Sequence, residues 1–264
     1  MGGDPDCFIC VARDVTERKE AEEELKRVNT ELKGYAHTVS HDLKGPLTSI
    51  SLAVDMLGES VGGLKSGSLE DIETVDEIVR ILGKNAENAH GLIQDLLSLA
   101  ESGQLPGEVS PVDVAGLVED ILDECSPAIR GRGVEVKVSP DLGSIIANRT
   151  QLFQLFSNLI RNAIEHSSSD SPVIEVSYLG YDGSGNHRYL VRDNGGGIPE
   201  DIINRVFVPF VKGERGGNGI GLSITEKITG VYGGQIRVYN DNGACFEFDI
   251  KDLDAPEGIP DGPG

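Results

Sequence analysis

Residues 72–100 read IETVDEIVRILGKNAENAHGLIQDLLSLA. Apolar side chains recur there at Ile72, Val75, Val79, Leu82, Ala86, Ala89, Ile93, Leu96 and Ala100, at alternating spacings of three and four. That is a heptad seam, which a helix buries against partner helices. Upstream, Leu25, Val28, Leu32, Tyr35 and Val39 repeat the pattern. Residues 58–68 (GESVGGLKSGS) are rich in Gly and Ser and join the two stretches as an antiparallel helical hairpin. Two helices alone enclose a thin core. Pairing two copies into a dimeric four-helix bundle is the economical solution, so a homodimer is expected.

Outward from the hairpin, residues 101–111 (ESGQLPGEVSP) read as a linker. Helical periodicity follows over 114–125, 150–166 and 222–229, and strand patterns over 134–138, 173–178, 189–192, 235–239 and 245–250. This order is neither a strict βαβ alternation nor all-β. It fits an α/β sandwich with helices on one face of a mixed sheet, giving an α+β chain overall. Before the hairpin, the apolar run 7–12 reads as a single strand with nothing to pair with, the last piece of an upstream domain. The expected division is therefore 1–16 as that remnant, 17–102 as the hairpin, 103–111 as linker and 112–252 as the sandwich domain. A Pro/Gly-rich tail, 253–264, is expected to be disordered.

Of the 264 residues, 44 are Asp or Glu against 23 Lys or Arg, a formal net charge of −21. Such a surface repels phosphate backbones and anionic headgroups, so nucleic acid is not an expected partner and direct membrane contact is not expected. It does not forbid one small phosphate site, which needs only local donors and a metal. Cys7, Cys10, Cys125 and Cys245 are too few and scattered for a disulfide scaffold, which points to a reducing compartment. Cys7-x-x-Cys10 lacks a second ligand pair for zinc. No stretch approaches the ~18 apolar residues of a membrane span, and the start is no signal peptide, so a soluble chain is expected.

Four segments carry chemistry. Asp193-Asn-Gly-Gly-Gly-Ile-Pro199 follows a strand and Gly216-Gly-Asn-Gly-Ile-Gly-Leu222 precedes a helix. Glycines at a helix N-terminus let backbone N–H groups approach phosphates, although an ordinary turn has the same composition. Asn158 and Asn162 lie one turn apart on one helix face. They are either polar surface or oxygen ligands for a hard cation such as Mg²⁺. In Ser40-His41-Asp42-Leu-Lys-Gly-Pro46, a carboxylate beside an imidazole can hold its tautomer and leave one ring nitrogen nucleophilic. Pro46 is expected to kink or break the helix. His37 lies one turn earlier, so a His37/His41 metal pair is a weaker alternative.

Together these residues resemble the sensor histidine kinases of two-component signalling. Residues 40–47 (SHDLKGPL) look like the family's phosphoacceptor box, Asn158 to Asn162 its asparagine box and Asp193 to Pro199 its first glycine box. Phe207-Val-Pro-Phe210 and Gly217-Asn-Gly-Ile-Gly-Leu222 resemble its phenylalanine box and second glycine box. The boxes stand in the family's order across residues 16–252. Residues 13–19 (RDVTERK) also resemble the exit of a PAS sensory domain.

The resemblance implies a Bergerat-type ATP-binding domain behind a dimeric phosphotransfer hairpin, with ATP and Mg²⁺ as the small molecules. His41 is the residue phosphorylated, and Asp42 is its general base or orienter. Asn162 ligates Mg²⁺, supported by Asn158. Asp193 accepts the adenine amino group, and Gly195 and Gly197 allow close backbone approach. Gly217, Gly219 and Gly221 hinge a lid over the phosphates, and Lys212 or Arg215 neutralises their charge. The phosphoryl group then passes to an aspartate of a response regulator receiver domain, and a cytoplasmic location is implied for these residues, with membrane anchoring of the parent protein through upstream segments as the alternative. Two departures stand out. Gly45 occupies a place where the family often has Thr or Asn to position water, which puts phosphatase activity in doubt. Residues 211–216 form a short lid with only two cations. Gyrase-type and mismatch-repair ATPases share some boxes, but they carry a catalytic Glu where Asn158 stands. A non-catalytic dimeric scaffold leaves His41 without a role.

Overall fold

The computed structural model describes residues 38–58, 60, 69–167, 169–181, 185–213 and 218–253. The upstream strand 7–12, the turn 58–68 beyond Ser60, His37, the Cys7/Cys10 pair and the tail from 254 lie outside the described residues. The chain divides into two compact units that meet between Leu82 and Gly83.

The first unit holds helix α1, residues 38–58, and the beginning of α2, Leu69–Glu101, the two arms of the helical hairpin. Helix α1 runs through Pro46 without a break. Ala53 and Ile78 are buried. Six large apolar side chains here stay exposed: Leu47, Leu52, Val54, Met56, Val79 and Ile81. The heptad stripe therefore divides. Ile78 is 2% exposed while its neighbour Val79 is 53% exposed. Farther along α2, Ala89, Leu92 and Leu99 are buried, but Ile93 and Leu97 face solvent. One stripe is covered within the chain and an adjacent one is not.

The second unit carries a five-stranded mixed sheet ordered β2-β4-β5-β7-β6. Its strands are β2 Glu135–Val138, β4 Val173–Tyr181, β5 Asn186–Asp193, β6 Ile236–Asn240 and β7 Ala244–Lys251. Only β2 and β4 run parallel; the other pairs are antiparallel. A separate antiparallel pair, β1 Ser110–Asp113 and β3 Ser144–Ala147, takes up the end of the segment read as linker. The helices are α3 Val114–Arg132, α4 Arg149–His166, the short α5 Glu200–Ile203 and α6 Gly221–Val231.

Helix α3 continues past Pro127 and stops at Gly133, whose φ of 66° forms a left-handed cap with its N–H on the Arg130 and Ile129 carbonyls. The helix starts at Asp113, whose carboxylate accepts from the Ala115 and Gly116 amides. Helix α4 presses Leu152, Leu155, Phe156, Leu159 and Ile160 into the core, all fully buried. Phe156 meets Tyr189 of β5 edge-on at 5.2 Å and Phe248 of β7 at 5.4 Å. Tyr232, just past α6, accepts from the Asn148 amide at 3.0 Å and donates to Gln151 Oε1 at 2.9 Å. This aromatic packing and the tyrosine bridge fix the axis of α4, and with it the direction of Asn158 and Asn162. The outer sheet face is a lattice of ion pairs, with Glu247 held between Arg188 and Arg237.

Candidate functional site

His41 stands on α1 with its side chain 81% exposed, and its Nδ1 lies 3.2 Å from Asp42 Oδ1. An ionised carboxylate can only accept, so in the neutral imidazole this bond places the proton on Nδ1 and leaves the ring lone pair on Nε2, which faces away from Asp42.

The second unit contains a cavity of about 860 Å³. Its floor is α4, through Asn158, Arg161, Asn162, Glu165 and His166. One wall is the loop leaving β5, with Asp193, Gly197, Ile198 and Pro199, backed by Ile202 and Val206. The opposite wall runs from Val211 to Gly213 and from Asn218 to Leu222, and one face of α2 contributes Glu87, Asn88, Gly91 and Asp95.

Asp193 is 5% exposed. Its Oδ1 accepts from the Gly195 amide at 2.7 Å and the Ala244 amide at 3.4 Å. Burial pushes its carboxyl above the usual carboxylate range, opposed by those two amides and by His166. The second carboxylate oxygen is left as an acceptor at the cavity wall.

Asn158 donates from Nδ2 to the Gly221 carbonyl at 3.2 Å, tying α4 to the start of α6. Asn162 has no side-chain hydrogen bond among the described residues. Its amide oxygen is therefore available inside the cavity, the hard-donor chemistry that Mg²⁺ prefers. The phenylalanine and glycine segments are pinned together, because the Phe210 amide donates to the Gly219 carbonyl at 2.7 Å. Gly219 adopts φ of 69°, and a Cβ there would come within 2.7 Å of the Val211 carbonyl oxygen. Only glycine fits that crossing. Helix α6 opens onto the cavity with no side-chain cap at Ile220, which leaves its first-turn amides for an anion.

Of the residues singled out from the sequence, Asn158, Asn162, Asp193, Gly197, Lys212, Gly219 and Gly221 line this cavity. Gly195 stands behind it, where its amide holds Asp193. Arg215 and Gly217 lie outside the described residues. His41 and Asp42 belong to the first unit. Sequence reasoning missed the face of α2. There Asp95 Oδ2 accepts from Asn218 Nδ2 at 2.9 Å, and burial raises the Asp95 carboxyl. It also gave no role to the apolar wall of Ile198, Ile202 and Val206, although Ile198 directly follows the glycine run.

Two family models match the chain. The His Kinase A (phospho-acceptor) domain covers residues 31–105. The histidine kinase-, DNA gyrase B- and HSP90-like ATPase model covers residues 147–254. Cyanobacterial phytochrome B from Nostoc sp. is 31% identical over 237 residues, 87% of this chain and 31% of the phytochrome. The chain thus spans less than a third of that relative's length. The sensory histidine kinase/phosphatase NtrB from Rhodobacter capsulatus is 28% identical over 256 residues, 90% of this chain and 67% of NtrB. Among solved structures, histidine kinase ThkA in complex with response regulator protein TrrA aligns with a TM-score of 0.60 at 24% identity. That alignment covers 91% of this chain and 68% of that one, and it supports the fold. No helix among the described residues is long and apolar enough to cross a membrane.

Proposed function

The chain belongs to the sensor histidine kinase family, and from that premise we propose that it is an ATP-dependent autokinase that phosphorylates His41 and passes the phosphoryl group to an aspartate of a response regulator. The observation that carries this reading is the exposed His41 imidazole with Nδ1 engaged by Asp42. Nε2 attacks the γ-phosphorus in line with the bond to the β-phosphate oxygen. A P–N bond forms as the P–O bond breaks, and ADP leaves with the electron pair. Nε2 carries no proton, so the attack needs no base. Asp42 holds the Nδ1–H and balances the positive charge that develops on the ring.

The cavity takes the nucleotide. Asp193 accepts from the adenine amino group, and Ile198, Ile202 and Val206 give the base an apolar wall. Gly195 and Gly197 keep the backbone close. Gly219, Gly221 and the α6 N-terminus meet the phosphates, with Gly217 in the same run and Lys212 or Arg215 supplying positive charge. Asn162 holds Mg²⁺ through its amide oxygen, and Asn158 fixes the adjoining Gly221. Bound Mg²⁺ supplies charge neutralisation on the phosphates. Glu87, Asp95, Glu165 and Asp193 outnumber Arg161 and Lys212 in the cavity lining, so a bound cation would offset the repulsion a triphosphate meets there.

The exposed stripe of Val79, Ile93 and Leu97 supports a homodimer through the hairpin. The segments 1–16, 17–102, 103–111, 112–252 and 253–264 then serve as a PAS remnant, phosphotransfer hairpin, linker, catalytic domain and tail within the cytoplasmic part of a signalling protein. Incubation with γ-labelled ATP and Mg²⁺ tests the reading. Acid-labile, alkali-stable label is expected on the parent chain and absent from His41→Gln. Equal label on both variants refutes it.

A further inference from the structure

The loop that forms one wall of the cavity is held from outside by a side chain that the nucleotide assignments leave unused. Asn240 is the last residue of β6. Its Oδ1 accepts from the Ile198 amide at 2.8 Å, and its Nδ2 donates to the Ile198 carbonyl at 2.8 Å. One carboxamide thus satisfies both backbone groups of a single loop residue, as a neighbouring strand would. Gly197 completes the fit. It adopts φ of 73°, and a Cβ there would stand 2.8 Å from Asn240 Oδ1 and 2.9 Å from its Cγ. The absent side chain is what lets the amide reach Ile198.

Gly197, Ile198 and Pro199 all line the cavity, whereas Asn240 is exposed and outside the lining. The other end of the loop is anchored separately. Asn194 accepts from the Val173 amide at 2.8 Å and donates to the Ser171 carbonyl at 2.9 Å. Without Asn240, the segment between Gly195 and Pro199 keeps its first anchor and loses its second.

We propose that Asn240 is a positioning residue for nucleotide binding: its side-chain amide clamps Ile198 and sets the cavity wall formed by residues 197–199. The proposal rests on the reading of the cavity as the ATP site. Because Asn240 is exposed and packs no core, its removal acts on the wall and not on the fold. Loss of two neutral hydrogen bonds from a loop that must stay ordered in the complex weakens binding about tenfold.

Calorimetry with Mg²⁺–ADP on the full chain tests this, alongside autophosphorylation rates over a range of ATP concentrations. Asn240→Ala is expected to raise the ADP Kd and the ATP KM about tenfold, to leave the rate at saturating ATP within twofold, and to shift the melting temperature little. Gly197→Ala is expected to harm ADP binding less in the Asn240→Ala background than in the parent, since its Cβ no longer meets the amide. An unchanged Kd and KM in Asn240→Ala overturns the clamp while leaving the ATP site standing. So does strict additivity of the two substitutions, or a lowered melting temperature with unaltered binding. Absence of ADP binding by the parent overturns the ATP-site reading and the clamp together.

Discussion

Replacing Asp193 by Asn isolates the single contact that selects the base. The Oδ1 of Asp193 is already committed to the Gly195 and Ala244 amides, and an asparagine oxygen can take over both bonds. The change falls on the other oxygen, which becomes an NH₂ group. The adenine amino group then meets a donor where it met a charged acceptor. A hydrogen bond to a charged group contributes about 1.5–3 kcal/mol, so ATP affinity should fall about 10- to 150-fold. A guanine presents a carbonyl at the same place, so GTP should lose much less or gain. The fold responds in the opposite direction. Burial raises the Asp193 carboxyl pKa above its unfolded value, so ionised Asp193 costs stability at neutral pH, and that cost disappears as pH falls through the elevated pKa. Asp193→Asn should therefore melt at a higher temperature than the parent near neutral pH. Acidification into the same window should weaken ATP binding in the parent and not in the variant. Titration calorimetry with ATP and GTP across pH, paired with thermal melts, measures all of this. Unchanged ATP affinity in the variant refutes the base-selection role, and a lost affinity accompanied by a lower melting temperature refutes the account of Asp193 as a destabilising, binding-directed charge.

Other substitutions test other parts. Val79→Asp places a charge on the exposed stripe, so the chain should fold with parental helicity yet run as a monomer in light scattering; Ile78→Asp, one residue earlier in a buried position, should lose helicity as well. Phe156→Ala removes the ring that α4 lodges against Tyr189 and Phe248, and should lower unfolding free energy by about 3–5 kcal/mol in urea melts. An added side chain at Gly45 meets nothing within 4 Å. Gly45→Asn should therefore fold normally and speed loss of phosphate from a phosphorylated receiver domain, where the parent shows little; no gain in that assay separates Gly45 from the phosphatase question.

The helical period of α2 was legible over its whole length, but the partition of its apolar face was not. Ile78-Val79, Leu92-Ile93 and Leu96-Leu97 are adjacent apolar pairs, and a heptad count cannot say which member packs within the chain. The structure buries Ile78 and Leu92 and leaves Val79 and Ile93 exposed, which is a tertiary decision. The periodicity over 114–125 covers only part of α3, which continues past Pro127 and ends at the left-handed Gly133 cap. Strands β1 and β3 escaped notice because each has four residues and pairs across about thirty residues of chain, so no local turn announces them. At the site, the asparagine and glycine segments stood out by composition. The contributions of Glu87, Asn88, Gly91 and Asp95 did not, since polar residues on a long helix look like solvated surface until a cavity forms beside them.

The central claim is that His41 carries the phosphoryl group, and mapping it directly is the most direct test. The chain would be incubated with Mg²⁺ and ATP, digested at neutral to alkaline pH and analysed by mass spectrometry. A phosphoryl mass increment confined to His41 is the predicted result. An increment on another residue, or an unmodified His41 in protein that demonstrably binds the nucleotide, would contradict the account.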